Sequence, residues 1–243
     1  MIGADGGKST IRRFVIDKTP TYAGYTLWRG LCPTALVQGP PHASKTVNGV
    51  HYETLGFPVR KSDGDSFWNC GVYMAMPESM VEQPVKNRQV GHAALKEVPS
   101  WFNDFVAVAF DDYSAQFWAG YSIHGRVSPH AVWEFSADRV VNGRIILLGD
   151  AAHMASPRTG AGAYTAMVDS VVLGQAFEQA SSIKEALSMY NTDTVARGKE
   201  LYARSRNAAS YFTPENVTIR PPSEVTKDLV AMIAKRKQEG GDL

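Results

Sequence analysis

The chain is 243 residues long, 44% hydrophobic and 20% charged, with a formal net charge of +1. That length buries a substantial core as one large domain or two small ones, and the near-neutral charge leaves no electrostatic footprint for nucleic acid or for a membrane surface. Cys32 and Cys70 are too few for a disulfide framework and read as reduced thiols of a cytoplasmic protein; no signal peptide or membrane span is visible.

In chain order, Met1 and Ile2 read as the tail of a buried strand that runs into a turn at Gly3-Ala4-Asp5-Gly6-Gly7. Ser9 to Phe14 reads as a short helix, with Lys8, Arg12 and Arg13 available to anions. A lone strand has no partner for its backbone groups, so this first element reads as cut from something larger. From Thr21 to about Trp133 the texture is β-rich, with runs at Tyr22 to Leu31, Val47 to Val59, Ser66 to Met76 and Ala115 to Ile123. Asp63-Gly64 marks a hairpin. Helical pieces are expected at Val85 to Glu97 and at Ser100 to Ala109, where Pro99 precedes the first turn. A sheet covered by helices on one side follows from this pattern.

After the Asn142-Gly143 turn, Arg144 to Leu148 is a continuous apolar run ending in Gly149-Asp150. Such a run fits a parallel strand buried on both faces, expected to lie beside the Met1 strand. Helices are expected from about Gly162 to Ala180, from Ile183 to Ser210 with Lys184, Glu185, Arg197, Lys199, Glu200 and Arg204 exposed, and from Ser223 to Lys237.

The chemistry concentrates in the strand-loop-helix that runs from Arg144 through Gly149, Asp150 and His153 to Pro157, Gly160, Ala161, Gly162 and Asp169. Asp150 stands at the carboxyl end of a parallel strand, where α/β proteins bind ligands. A carboxylate there accepts hydroxyl hydrogen bonds from a ribose or ribityl chain. Gly160 and Gly162 let a flat ring approach the backbone, and they open a helix whose free N–H groups favour an anion.

This segment resembles the Gly-Asp motif of the group A flavoprotein monooxygenases, the family of p-hydroxybenzoate and salicylate hydroxylases, with Asp150, Pro157, Gly160 and Gly162 matching in order. Met1 to Arg12 resembles the family's Asp-Gly motif, carried by Asp5, Gly6, Ser9 and Arg12, and Tyr25 to Gly30 resembles the entry strand of its substrate domain. The resemblance implies an α+β / α/β fold: a truncated FAD-binding (glutathione-reductase-like) domain remnant, a β-sheet substrate domain and C-terminal helices. Its segments are 1–16, 17–135, 136–180 and 181–243. It implies FAD as cofactor, NAD(P)H as reductant and an aromatic or polycyclic small molecule as substrate. The cofactor-binding residues carried over are Asp5, Gly6, Arg12, Gly149, Asp150, Pro157, Gly160, Ala161 and Gly162.

The family's GxGxxG fingerprint is absent from the 243 residues, and with it the site for the ADP half of FAD. The expectation is an N-terminally incomplete chain that self-associates as a homo-oligomer or needs a missing N-terminal fragment. The alternatives are a non-catalytic truncated descendant acting as a binding or regulatory subunit, or a related flavoenzyme such as a halogenase or prenyl-lipid reductase. Arg29, Tyr52, Trp118 and Tyr121, with His51 and His124 beside them, are candidates to line a pocket for a flat substrate, and Arg158 to meet an acidic one. His153 reads as a loop-positioning residue. The six histidines show no metal-ligand spacing, so no metal site is expected.

Overall fold

A computed structural model describes residues 1–36, 42–60, 62, 64, 66–81, 99–110 and 127–239. The expected helix at Val85 to Glu97, the strand at Ala115 to Ile123 and the turn residue Asp63 lie outside them. The chain forms two compact units, Met1–Ala23 with Val132–Ser210, and Gly24–Ala131 with Tyr211–Leu243. The C-terminal helices, expected as one segment, divide between these units because their apolar faces meet different cores.

In the first unit, β1 (Ile2–Gly3), β8 (Ile145–Leu147) and β7 (Val141–Asn142) form a three-stranded sheet in the order β1-β8-β7. β1 and β8 pair parallel, Ile2 opposite Ile146 and Gly3 opposite Leu147, as the apolar run required. β8 is shorter than expected because Arg144 is exposed at one end and the chain turns at Gly149 at the other. Its core side chains Ile146 and Leu147 pack with Leu173 and Ala176 of α2 (Gly162–Gln179) and with Ala186, Leu187 and Tyr190 of α3 (Ile183–Ala209). Tyr190 is fully buried, and its hydroxyl donates to the Leu147 carbonyl at 2.8 Å, so the ring buries without an orphaned polar atom. α3 starts in a reciprocal cap: the Ser182 hydroxyl accepts from the Glu185 N–H, and the Glu185 carboxylate accepts from Ser181.

The Ser9 to Phe14 helix does not form; only a 3-10 turn at Arg12–Phe14 does. The Asp5 carboxylate takes the N–H groups of Thr10 and Ile11, and the Ser9 hydroxyl takes that of Arg12. These local bonds compete with a helical ladder.

In the second unit, β3 (Ser44–Val47), β4 (Val50–Arg60), β5 (Ser66–Ala75) and most of β2 (Thr21–Pro33) lie in the order β3-β4-β5-β2, while β6 (Ser128–Ser136) has residues in both units and pairs antiparallel with β9 (His153–Met154) through Phe135 and Ser136. The run expected as one strand from Val47 to Val59 is a hairpin. Asn48 and Gly49 take φ of 50° and 80°, and Val47 pairs with Val50, a turn that suits this dipeptide. In unbroken register, Trp28, Val72 and Thr54 share one face, and Leu27, Tyr73 and Glu53 the other. The first face meets α1 (Ser100–Ala109): Trp28 stacks on Phe102 at 4.4 Å and Tyr52 lies 5.0 Å from Phe105. On the second, Tyr25 stacks on Phe212 at 5.2 Å. α4 (Pro222–Gln238) packs against α1. Among the described residues, no helix is long and apolar enough to cross a membrane.

Candidate functional site

The site builds from the end of β8 in the first unit. Gly149 bends the chain with φ of 62°, and a Cβ there would stand 3.0 Å from that of Ala166. Only glycine takes this bend and this approach without strain. The turn that follows, Gly149–Ala151, is held from two sides. The Gly149 N–H donates to Asp169 Oδ2 at 3.0 Å. The carbonyls of Asp150 and Ala151 accept from Arg12 Nη2 and Nε, each at 2.8 Å. Between these anchors the Asp150 residue stays exposed.

Arg12 joins the two motifs across 138 positions, but as a structural tie. It is buried, donates also to the Gly7 carbonyl at 3.2 Å and lies 4.4 Å from the centre of the Phe135 ring. The expectation that Arg12 is available to anions is corrected: a buried guanidinium must satisfy its donors, and here backbone carbonyls do so. Asp5 is likewise engaged locally, its Oδ2 accepting from the Thr10 N–H at 2.7 Å and the Ile11 N–H at 3.2 Å. Gly6 supplies the positive φ of 75° that this turn needs.

The loop from Ser156 to Gly162 is fixed at its start and open at its end. The Ser156 N–H donates to Ser205 Oγ at 2.6 Å; that hydroxyl donates to the buried Glu134 Oε1, whose other oxygen accepts from Arg206 at 3.1 Å. Pro157 begins a 3-10 turn that ends at Gly160 with φ of 61°, and among the described residues no atom would meet a Cβ on Gly160 within 4 Å. Ala161, whose own N–H donates to Thr159 Oγ1 at 3.3 Å, then starts α2 with no side-chain cap of its own, and no acidic residue occupies the first turn. A Cβ on Gly162 would lie 4.0 Å from Asp150 Oδ1. The exposed carboxylate therefore stands next to a helix N-terminus whose N–H groups lack a side-chain cap.

His153 is buried, with Nε2 2.7 Å from Asp169 Oδ2. Arg197, expected to be exposed, is drawn inward: its Nε donates to Asp169 Oδ1 at 3.2 Å and its Nη1 to Asp193 at 2.8 Å. Sequence reasoning missed this cluster and the Glu134–Ser205 link. The available signal was the buried set Thr194, Gly198 and Ser205 along α3, small or polar residues at helical spacing where a plain core face would be larger and apolar.

The substrate candidates separate. Tyr52 is on the helix-covered face of its sheet, 1% exposed, its phenol pushed up to about 12 by burial against the opposing influence of Arg220. Arg29 is on the other face, half-buried, near His130, whose pKa is lowered by burial and then by Arg29. His51 lies 3.6 Å from Glu53. Trp118, Tyr121 and His124 lie outside the described residues.

The family described as FAD binding domain matches residues 120–205, which contain the whole Asp150 to Gly162 segment. The FAD-dependent urate hydroxylase of Klebsiella pneumoniae is 30% identical over 211 residues, 85% of this chain and 50% of the relative. The 3-amino-4-hydroxybenzoate 2-monooxygenase of Streptomyces cremeus is 30% identical over 216 residues, 87% and 50% respectively. Among solved structures, Klebsiella pneumoniae HpxO complexed with FAD and uric acid superposes with a TM-score of 0.67 at 24% identity, covering 98% of this chain and 57% of that one. The chain thus spans about half the length of the curated relatives it matches. Residues 120–205 thus carry the match to the FAD binding domain, and over about half of their length the chain is similar to FAD-dependent hydroxylases and monooxygenases.

Proposed function

We propose that the chain carries the isoalloxazine-facing side of an FAD site and serves an NAD(P)H-using monooxygenase that hydroxylates an aromatic or polycyclic small molecule. The observation that carries this reading is the exposed Asp150, set between the Arg12 and Asp169 anchors and beside the side-chain-uncapped start of α2.

The residues present fit that part of the cofactor. Asp150 would accept hydroxyl hydrogen bonds from the ribityl chain. Gly160, which no described residue approaches where a side chain would stand, and Gly162 admit a flat ring to the backbone. The first N–H groups of α2 favour negative charge on the ring edge beside them. FAD, when bound, supplies the redox chemistry with NAD(P)H as electron source; this chain's residues bind, orient and exclude water. The planar substrates in the names of the relatives support an aromatic substrate. The 243 residues hold no GxGxxG for the ADP half, so Asp150 and its loop account for one part of the site only.

The test is titration with FAD, followed by flavin fluorescence, of the chain alone and with the glycine-rich unit of a relative supplied in trans. Binding in the supplemented sample that Asp150→Ala weakens by about tenfold or more supports the reading, as the loss of charge-assisted hydrogen bonds of about 1.5–3 kcal/mol predicts. Undiminished binding by Asp150→Ala would overturn it.

A further inference from the structure

Asp169 is wholly buried on the inner side of α2, and its carboxylate meets Gly149, His153 and Arg197. Oδ2 accepts from the Gly149 N–H at 3.0 Å and lies 2.7 Å from His153 Nε2, while Oδ1 accepts from Arg197 Nε at 3.2 Å. A bare Nε2 would set its lone pair against the carboxylate, so Nε2 carries the proton. His153 Nδ1 is buried without a hydrogen-bond partner among the described residues. A proton there would be an unpaired buried donor, so Nδ1 is bare and the imidazole neutral. Gly198 of α3 closes over the ring: a Cβ on it would lie 3.3 Å from that of His153.

Burying such a cluster is expensive, and an apolar side chain of similar volume would often stabilise the fold as well or better. What the cluster provides instead is a fixed acceptor for one amide, that of Gly149, at the left-handed bend immediately before Asp150. Arg12 grips the carbonyl side of the same turn, so removing Asp169 leaves the turn held from one side only.

We propose that Asp169 is a positioning residue which, with His153 as its neutral Nε2–H tautomer and Arg197 behind it, holds the Gly149 amide and thereby sets where the Asp150 carboxylate stands. Its consequence for cofactor binding rests on the flavin reading of Asp150; the clamp itself does not.

The experiment uses the full chain and needs no cofactor in its first arm. Nitrogen NMR of His153 is expected to show a protonated Nε2 and a bare Nδ1. Asp169→Asn is expected to speed hydrogen exchange of the Gly149 amide at least tenfold relative to amides in the interior of α3. His153→Gln, which keeps a donor towards Asp169, retains most of the protection, and His153→Leu loses it. A protonated Nδ1 in the parent overturns the proposal, as does Gly149 exchange that changes only in step with α3 across the variants. If Asp169→Asn does not fold, the parent tautomer and the His153 pair still decide the question. In the second arm, Asp169→Asn raises the Kd for FAD about tenfold in the supplemented sample. A faster-exchanging Gly149 with unchanged FAD affinity would sink the flavin role of Asp150 while supporting the clamp.

Discussion

Asp5 holds its carboxyl at about 2, below the 3.8 of an unperturbed aspartate, although partial desolvation acts to raise it. Hydrogen bonds from Ser9, Ile11 and Thr10 favour the charged form and outweigh that effect. A depressed folded pKa contributes stability that is present above the unfolded value and lost as the pH falls through the folded one. Asp5→Ala is therefore expected to remove part of the acid dependence between about pH 4 and pH 2 and to leave the dependence near neutrality unchanged, as read by urea denaturation across that range. The group is exposed, so the effect is small and shrinks with added salt. Gly149 gives a larger test. Its φ of 62° and the 3.0 Å approach to Ala166 are both closed to a side chain. Gly149→Ala is expected to cost at least about 1–2 kcal/mol in urea denaturation, the penalty of the left-handed region alone. A neutral result would mean that the bend relaxes freely and that the Asp169 contact does not enforce it.

Two helical glycines show how packing decides the sign of one substitution. Among the described residues, Gly174 of α2 has no atom within 4 Å of where a Cβ would stand, so Gly174→Ala is expected to stabilise by up to about 1 kcal/mol through helix propensity. Gly198 of α3 gains the same propensity but meets His153, which is buried and bonded to Asp169 and cannot yield. Overpacking costs about 1–3 kcal/mol, so Gly198→Ala is expected to be neutral to destabilising, and thermal melts of the pair should move apart. Elements of this kind were legible in the sequence where periodicity was strong. The ends of α1, α2, α3 and α4 fall within about a residue of their expected positions, because apolar spacing and flanking prolines or glycines mark them. The parallel pairing of β1 with β8 was legible in the apolar run. The Asn48-Gly49 turn was also written in the sequence, but its β-branched flanks read as one continuous strand. What was not legible depends on distant approach. Arg12 is buried only because Ala151, 139 positions on, supplies its acceptor, and the Asp169–Arg197 pair forms only where α2 and α3 pack. Residue type alone made Arg12 an anion ligand and Arg197 a surface charge; burial reassigns the first and pairing with Asp169 the second.

For the whole molecule, the first unit presents one edge of its sheet without a strand beyond it among the described residues: β1 is terminal in the order β1-β8-β7, and Met1 and Ile2 are exposed. The same unit exposes Tyr164, Met167 and Val171 along the outer side of α2. An open edge and uncovered apolar side chains favour association. Asp150, Gly160 and Gly162 contact at most one part of a dinucleotide, and the pyrophosphate and adenosine contacts that a glycine-rich turn provides have no counterpart in the sequence. We therefore expect the 243-residue chain alone to bind FAD weakly or not at all, to show no NAD(P)H oxidation and to self-associate with rising concentration. Supplying the glycine-rich unit of a relative in trans should confer flavin binding and suppress the self-association together, if one unit both covers the β1 edge and provides the glycine-rich turn. Absorbance at the flavin bands and light scattering on the same samples measure the two effects side by side. A stoichiometric yellow protein from this chain alone would show that the residues around Asp150 suffice for the cofactor. Flavin binding restored without any change in association would instead separate the sheet edge from the flavin site.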